Sequence, residues 1–548
     1  MATDPILSAE RITAMQQAGL WSDRLLVDYL DEAVEKHPDR VAIRDSKSTT
    51  GVATVLTYAQ LKEKVDRLAL GLIALGVEKD DIVSYQLPNW WEFTALHLAC
   101  VRIGAVTNPL MPIFRERELS FMLKFADAKV VIVPKTFRGH DHEQMVLNLA
   151  ADLPAMEHLL VLGGEGERSF EQRLLEHPWE DEMDAAALFA ARRPKPNDVV
   201  QLLYTSGTTG RPKGVMHTSN TLIANCELFI KELGVSSDDT ILMGSPMAHQ
   251  TGFMYGMMTP LILQTEVVLQ DVWSGDTGWE NIKKYNISFN MASTPFLADL
   301  VNSDKIESCC TDRFRMFVCG GAPIPRVLAK RANEKLGIEV IAVWGMTENG
   351  VVTATRPGDP EEKIFQTDGR PFNGLEVRVV DANNQPVPTG EEGTLKARGC
   401  TNFVGYLKKP ELYGMDAENW FDTGDLARMD ADGYIRISGR SKDIIIRGGE
   451  NVPVAEVEEV LYRHPAIEDA AVVAVPDERL GERGCAFVTL SPGASFDMAI
   501  MAEHFAEQKV ARNYTPERLE VIEAMPLTAS GKIQKFQLRE TAKQFGQA

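Results

Sequence analysis

Over the first 440 residues, short β-branched runs alternate with stretches whose apolar positions recur every three or four residues. Lys129–Val133, Val199–Tyr204, Glu266–Leu269, Arg315–Val318 and Glu339–Val343 read as strands, and Tyr58–Leu75 as an amphipathic helix. That alternation predicts α/β layers around a largely parallel sheet. From Gly374 the rhythm shortens. Leu375–Val380, the turn residues Asn383-Asn384 and Pro386 to Pro388, then Gly393-Thr394-Leu395-Lys396 predict a small antiparallel or β-barrel-like piece appended to the α/β core. After Arg440 and Ser441-Lys442-Asp443 comes a compact α+β unit of about 106 residues. It has a helix opened by Pro453, with Val457, Val460 and Leu461 on one face, then strands at Ala470–Val475 and Cys485–Leu490. The predicted fold is α/β plus a small α+β unit, with domains at 1–441 and 442–548. The acidic, Ala-rich stretch Glu180–Pro196 reads as surface, and no internal repeat is visible.

Composition narrows the class. Hydrophobic residues make up 44% and charged residues 25% of 548, the mix of a globular chain with a sizeable core. The net charge of −21 repels polyanions, which argues against a general nucleic-acid or anionic-membrane binder while leaving room for a local basic pocket. Seven dispersed cysteines with no CxxC read as reduced thiols, neither a disulfide framework nor a metal set. Glu10 and Arg11 precede any long apolar run, so no signal peptide is expected. The most apolar stretch, Thr251 to Leu269, is interrupted by Pro260, Gln264 and Glu266 and is too short to span a bilayer. These features predict a soluble, cytoplasmic protein.

The sharpest chemical signal follows an apolar strand: Tyr204-Thr205-Ser206-Gly207-Thr208-Thr209-Gly210-Arg211-Pro212-Lys213-Gly214. Three glycines admit an anion close to the backbone, four hydroxyls donate, and Lys213 supplies charge, as a phosphate cradle requires. It is not a Walker A loop, because Lys213 precedes Gly and the glycine spacing differs.

This loop resembles the phosphate-binding signature of the adenylate-forming enzymes, the superfamily of acyl- and aryl-CoA synthetases, luciferases and peptide-synthetase adenylation domains. Further blocks agree in the family's order: Gly320-Gly321-Ala322-Pro323, Trp344-Gly345-Met346-Thr347-Glu348, Asp422-Thr423-Gly424-Asp425, Gly439-Arg440-Ser441-Lys442-Asp443, Gly448-Gly449-Glu450-Asn451, and Pro526 with Gly531-Lys532. The resemblance runs from about residue 25 to the C-terminus. It implies that a carboxylic acid attacks the α-phosphate of ATP, and that CoA thiol then displaces AMP.

The resemblance also implies roles. Lys532, Glu348, Thr205 and His249 form the catalytic set, with Glu348 holding Mg²⁺ and Lys532 bridging carboxylate and α-phosphate. Thr205, Ser206, Gly207, Thr208, Thr209 and Lys213 cradle the phosphates. Gly321, Ala322, Pro323, Val343, Trp344, Gly345, Met346 and Thr347 surround the nucleotide. Asp425, Ile437 and Arg440 reach the ribose side. The family more often has Tyr where Trp344 stands, which leaves the lost hydroxyl to be explained. Lys442 falls at the hinge about which the small mobile C-terminal domain turns between two catalytic poses. Gly448, Gly449 and Glu450 line the passage of the pantetheine thiol. Lys535 reads as an ordinary surface charge.

The acyl pocket is implied to comprise His249, Phe253, Met257, Thr294, Gly320, Trp344 and Met346. His249 is better suited to a steric or gating role than to acid–base work. Amino-acid adenylators place an Asp shortly after this block; here the next acids are Glu266 and Asp271, which disfavours amino-acid substrates. No Lys or Arg lies between Lys231 and Lys283, which disfavours a second substrate carboxylate. Within the family, the chain is similar to bacterial cyclohexanecarboxylate–CoA ligase and short- and medium-chain acyl-CoA ligases. The supporting runs are Asp477-Glu478-Arg479-Leu480-Gly481-Glu482-Arg483 and Gly531-Lys532-Ile533-Gln534-Lys535-Phe536. Expected ligands are a small carboxylic acid, ATP, CoA and Mg²⁺. Homodimerisation and acylation of Lys532 stay open. So do three other readings: loading of a carrier-protein phosphopantetheine, luciferase-like oxygenation, and a non-catalytic nucleotide- or acyl-binding relative.

Overall fold

The computed structural model describes residues 3–547 except 206–211, 310, 322–323, 325, 441–444, 448–449, 453, 478–479, 509, 511–513 and 529–530. Two large sheets form the frame. In the nine-stranded sheet, Glu339–Met346, Met316–Gly320, Phe289–Ala292, Ile241–Met243, Val267–Leu269 and Val41–Ser46 are parallel neighbours in that order. Antiparallel strands close both edges: Gly350–Ala354 then Arg370–Pro371 on one side, Ala53–Thr57 on the other. The six-stranded sheet is parallel from Val199–Thr205 to His158–Leu162, with Lys213–Thr218 as an antiparallel edge.

The helices follow their apolar spacing. Tyr58–Ala74 buries Tyr58, Leu61, Val65, Leu68 and Leu72, a stripe of i+3 and i+4 steps, and Thr57 and Gln60 cap its start reciprocally. All thirteen residues of Trp91–Ile103 are buried, because this helix lies between layers. The stretch 180–196 read as surface is mostly exposed but contains the helix Ala185–Arg192, whose Phe189 packs against the main core.

The shorter rhythm after Gly374 is a four-stranded antiparallel sheet: Leu375–Val380, Glu392–Gly399, Phe421–Met429 and Ile435–Arg440. The C-terminal unit has its own sheet and cores. Gly481–Leu490 pairs antiparallel with Ile467–Asp477 and parallel with Arg518–Val521, and Val454–Tyr462 buries Val457, Val460 and Leu461 against it. Among the described residues, no helix is long and apolar enough to cross a membrane.

Candidate active site

The sequence-derived site residues come from four places: the edge strands of the six-stranded sheet, the C-terminal ends of the nine-stranded sheet and the segments that follow them, the four-stranded sheet, and a loop of the C-terminal unit. Thr205 and Lys213 face each other across the antiparallel strands Val199–Thr205 and Lys213–Thr218. The two strands flank the phosphate-type segment on either side. Ser206, Gly207, Thr208, Thr209, Ala322, Pro323, Lys442, Gly448 and Gly449 lie outside the described residues, as do the side chains of Arg440 and Glu450.

Glu348 sits in the turn between Glu339–Met346 and Gly350–Ala354, only 4% exposed. Three successive carbonyls of that turn are held by three separate elements. His217 Nε2 donates to Thr347 O at 2.7 Å, Phe403 N to Glu348 O at 2.7 Å, and Asn225 Nδ2 to Asn349 O at 3.1 Å. The Glu348 carboxylate accepts from Tyr406 Oη at 2.8 Å, and Lys213 Nζ donates to the same phenol oxygen at 3.0 Å. Residues from two separate sequence blocks thus meet through Tyr406, which lies in neither block. No local signal marks Tyr406, Asn225 or His217, since each acts through a long-range contact.

Gly320 pairs with Val343 across parallel strands so closely that a Cβ there would lie 2.4 Å from Val343 Cγ2. Gly321 follows with φ +84°, a conformation that suits glycine. A Cβ built on it would lie 3.3 Å from Lys532 Cε and 3.8 Å from Nζ. The loop bearing Lys532 is closed by Thr528 N to Lys532 O at 2.7 Å and Lys532 N to Thr528 Oγ1 at 2.9 Å. It rests on the start of the helix Thr294–Asn302: a Cβ at Gly531 would lie 3.0 Å from Pro295 Cγ and 3.2 Å from Ser293 Oγ. Lys532 therefore reaches the strand ends Gly320–Gly321 from the C-terminal unit. Thr294 Oγ1 is 3.8 Å from Cys319 Sγ.

Lys535 differs from the surface reading. Its ammonium is 2.7 Å from Glu458 Oε1, and that glutamate, 6% exposed, also accepts from Val472 N at 2.6 Å. The pair ties the Lys532 loop to the helix Val454–Tyr462.

On the nucleotide side, Trp344 Nε1 donates to Asp425 Oδ2 at 2.8 Å, with both residues buried. The indole thus engages the carboxylate expected to meet the ribose. Asp425 pairs in register with Arg440, and Ile437 N donates to Asp368 Oδ2 at 2.8 Å.

His249 Nδ1 accepts from Thr251 N at 3.3 Å, which puts the ring proton on Nε2. Burial first, and the Lys532 ammonium second, push its pKa down to about 3, so the ring is neutral near pH 7. Phe253 to Met258 form a π-helical segment, fully buried, pressed on Ile241–Met243 at Gly256, where a Cβ would lie 2.2 Å from Met243 Cγ. Phe253 meets the His97 ring edge-on at 4.7 Å. Met257 lines a void of about 10 Å³ with Ile43, Tyr58 and Thr265. From the same segment, Tyr255 Oη donates to Asn225 Oδ1 at 2.6 Å and accepts from Val351 N at 2.9 Å. The Phe253–Met258 segment and the Glu348 turn therefore share Asn225.

Among the described residues no cluster of three or more His, Cys, Asp or Glu side chains forms a metal cage. A single buried carboxylate beside a phosphate-type hairpin fits a hard cation that draws its other ligands from phosphate and water.

The family model described as "AMP-binding enzyme" matches residues 30–407, and that described as "AMP-binding enzyme C-terminal domain" matches 456–532. A medium-chain fatty-acid–CoA ligase of Escherichia coli (strain K12) is 36% identical over 97% of this chain and 93% of its own length. A salicylyl-CoA synthase / salicylate adenylyltransferase of a Streptomyces species is 33% identical, covering 96% of this chain and 95% of its own. The crystal structure of the anthranilate CoA ligase AuaEII with anthranoyl-AMP superposes with a TM-score of 0.86 at 25% identity, covering 96% of this chain and 98% of the other.

Proposed function

The chain belongs to the AMP-binding enzyme family, and from that membership we propose that it is an AMP-forming acid–CoA ligase for an apolar monocarboxylic acid, cyclohexanecarboxylate or a short- or medium-chain acid. The substrate carboxylate attacks the α-phosphorus of ATP and expels pyrophosphate. CoA thiol then takes the acyl group and releases AMP. The observation that carries the proposal is the apposition of Lys532, from the C-terminal unit, with Gly321.

Each residue's part follows from its chemistry. Lys532 stabilises the charge that grows on the α-phosphate oxygens during attack. Lys213 and the donors of 205–209 bind the β and γ phosphates. Glu348 would supply a hard oxygen ligand to Mg²⁺, which when bound would neutralise phosphate charge. Asp425 accepts from ribose hydroxyls while Trp344 holds its second oxygen. Neutral His249 walls the acyl site. The unit after about residue 441 turns at Lys442, withdrawing Lys532 and bringing Gly448, Gly449 and Glu450 to the thiol passage.

The buried apolar segment Phe253–Met258 and the absence of Lys or Arg between 231 and 283 support an uncharged acyl group. The 36% identity to a medium-chain fatty-acid–CoA ligase supports the same class. The second reading, transfer to a carrier-protein phosphopantetheine, is favoured by a 31% identical relative of Mycobacterium tuberculosis named salicyl-AMP ligase / salicyl-S-ArCP synthetase.

One panel tests both: pyrophosphate release from ATP across carboxylic acids, with CoA present or absent. Turnover with hexanoate or cyclohexanecarboxylate and none with amino acids is expected, at neighbouring chain lengths differing several-fold (about 0.8 kcal/mol per methylene). CoA should yield acyl-CoA and AMP. Acid-dependent pyrophosphate release that never proceeds to a CoA thioester would favour the carrier reading.

A further inference from the structure

Tyr406 lies 193 residues from Lys213 and 58 from Glu348, yet touches both. The segment carrying it is stitched to each. Leu407 N donates to Gly214 O at 2.8 Å, Val404 N to Met216 O at 3.0 Å, and Met216 N to Gly405 O at 3.0 Å, so 404–407 runs along the strand that leaves the phosphate hairpin. The preceding residue, Phe403, donates its amide to Glu348 O at 2.7 Å. Gly405, at φ +135°, permits this approach, since a Cβ there would lie 3.1 Å from Met216 Cε. Tyr406 is 2% exposed and packs on the Phe403 ring at 4.7 Å between centroids.

The phenol is therefore fixed, and its polar contacts have one direction. Lys213 Nζ donates to the phenol oxygen at 3.0 Å, and the phenol O–H donates to Glu348 Oε1 at 2.8 Å. The ammonium also stands 4.3 Å from the centre of the Tyr406 ring, a cation–π contact. Charge-assisted hydrogen bonds of this kind reinforce one another when buried.

We propose that Tyr406 is a positioning residue for adenylation. Its hydroxyl sets the Glu348 carboxylate for the cation and holds the Lys213 ammonium beside it, so both charges are in register before the triphosphate arrives. When phosphate draws Lys213 away, the phenol keeps its bond to Glu348. The role rests on the reading of Lys213 and Glu348 given above.

The test uses Tyr406→Phe in the full chain, which keeps the ring, its packing and the cation–π contact. ATP affinity is measured by titration calorimetry without acid substrate, with and without Mg²⁺, and the ratio of the two is the readout. Both values come from one protein sample, so a change in folded fraction cancels. Tyr406→Phe should cut the Mg²⁺-dependent gain about tenfold. In the adenylation assay it should raise half-saturating Mg²⁺ similarly, with the KM for acid within twofold. Glu348→Gln should abolish the gain, and the double variant should match Glu348→Gln alone. If Glu348→Gln abolishes the gain while Tyr406→Phe keeps it, the positioning role is overturned and the ligase reading stands. Further loss in the double variant would likewise overturn the coupling. A full gain in Glu348→Gln would overturn the metal reading of Glu348, and with it this inference.

Discussion

Trp344 Nε1 donates to Asp425 Oδ2 at 2.8 Å, joining the end of the nine-stranded sheet to the four-stranded one. The family more often has a tyrosine at the Trp344 position. Here the indole spends its one donor on a carboxylate that is 5% exposed. A hydrogen bond to a charged acceptor is worth about 1.5–3 kcal/mol. Trp344→Phe should therefore raise the KM for ATP about tenfold, leave that for the acid within twofold, and weaken discrimination against 2′-deoxy-ATP. A raised acid KM with ATP unaffected would assign the ring to the acyl side.

Acid should destabilise the fold through buried histidines. Burial pushes His97, His142 and His249 down to about 3 and His217 to about 4. Unfolded, each titrates near 6.5 (about the model-peptide value), so the unfolded chain binds more protons below that pH. Their contribution is complete above about 6.5 and is lost as pH falls towards 4. Glu92 works in the opposite sense: burial raises it to about 7, so its contribution is present at low pH and lost as pH rises through 7. The histidines outweigh it, and lowering pH from 7.5 to 5.5 should cost about 3 kcal/mol. Urea midpoints at the two values measure this; equal or higher stability at 5.5 would contradict it.

The Lys535–Glu458 pair should steady the catalytic loop. Lys535→Met keeps the stem and removes the charge, leaving a buried carboxylate without its ammonium. Because the lysine side chain is 23% exposed, the cost is set near the lower end for such pairs, about 1–2 kcal/mol. Hydrogen exchange at Thr528 and Gln534, whose amides donate to Lys532 O and Pro526 O, should accelerate. Adenylation should slow about tenfold. Unchanged exchange at both amides would show that the pair does not hold the loop.

Much of this was legible because it is local. Leu375–Val380 reads as a strand from its own alternation and forms one with those bounds. The phosphate-type loop, the Glu348 turn and the Gly531-Lys532 loop are each written in a few contiguous residues. What sequence could not give are partnerships across the chain. Tyr406 sits in an apolar stretch whose sequence says nothing of Lys213. Lys535 resembles any helix-start lysine until the fold brings Glu458 to it. The methionines after Phe253 read as one apolar stripe. Their π-helical turn sends Tyr255 towards the Glu348 turn and Met257 towards Tyr58. The helix Ala185–Arg192 was hidden because its face is mostly exposed.

In the proposed reaction Lys532, carried by the C-terminal unit, serves attack on the α-phosphate and then leaves. Lys532→Ala, assayed separately for acyl-AMP formation and for acyl-CoA formation from supplied acyl-AMP and CoA, tests it most directly. The first rate should fall by at least about 10²–10³, the usual worth of one preorganised donor, with ATP binding nearly intact. The second should stay close to the parent's. Loss of neither would make Lys532 a bystander, and loss of both would contradict the two-pose account.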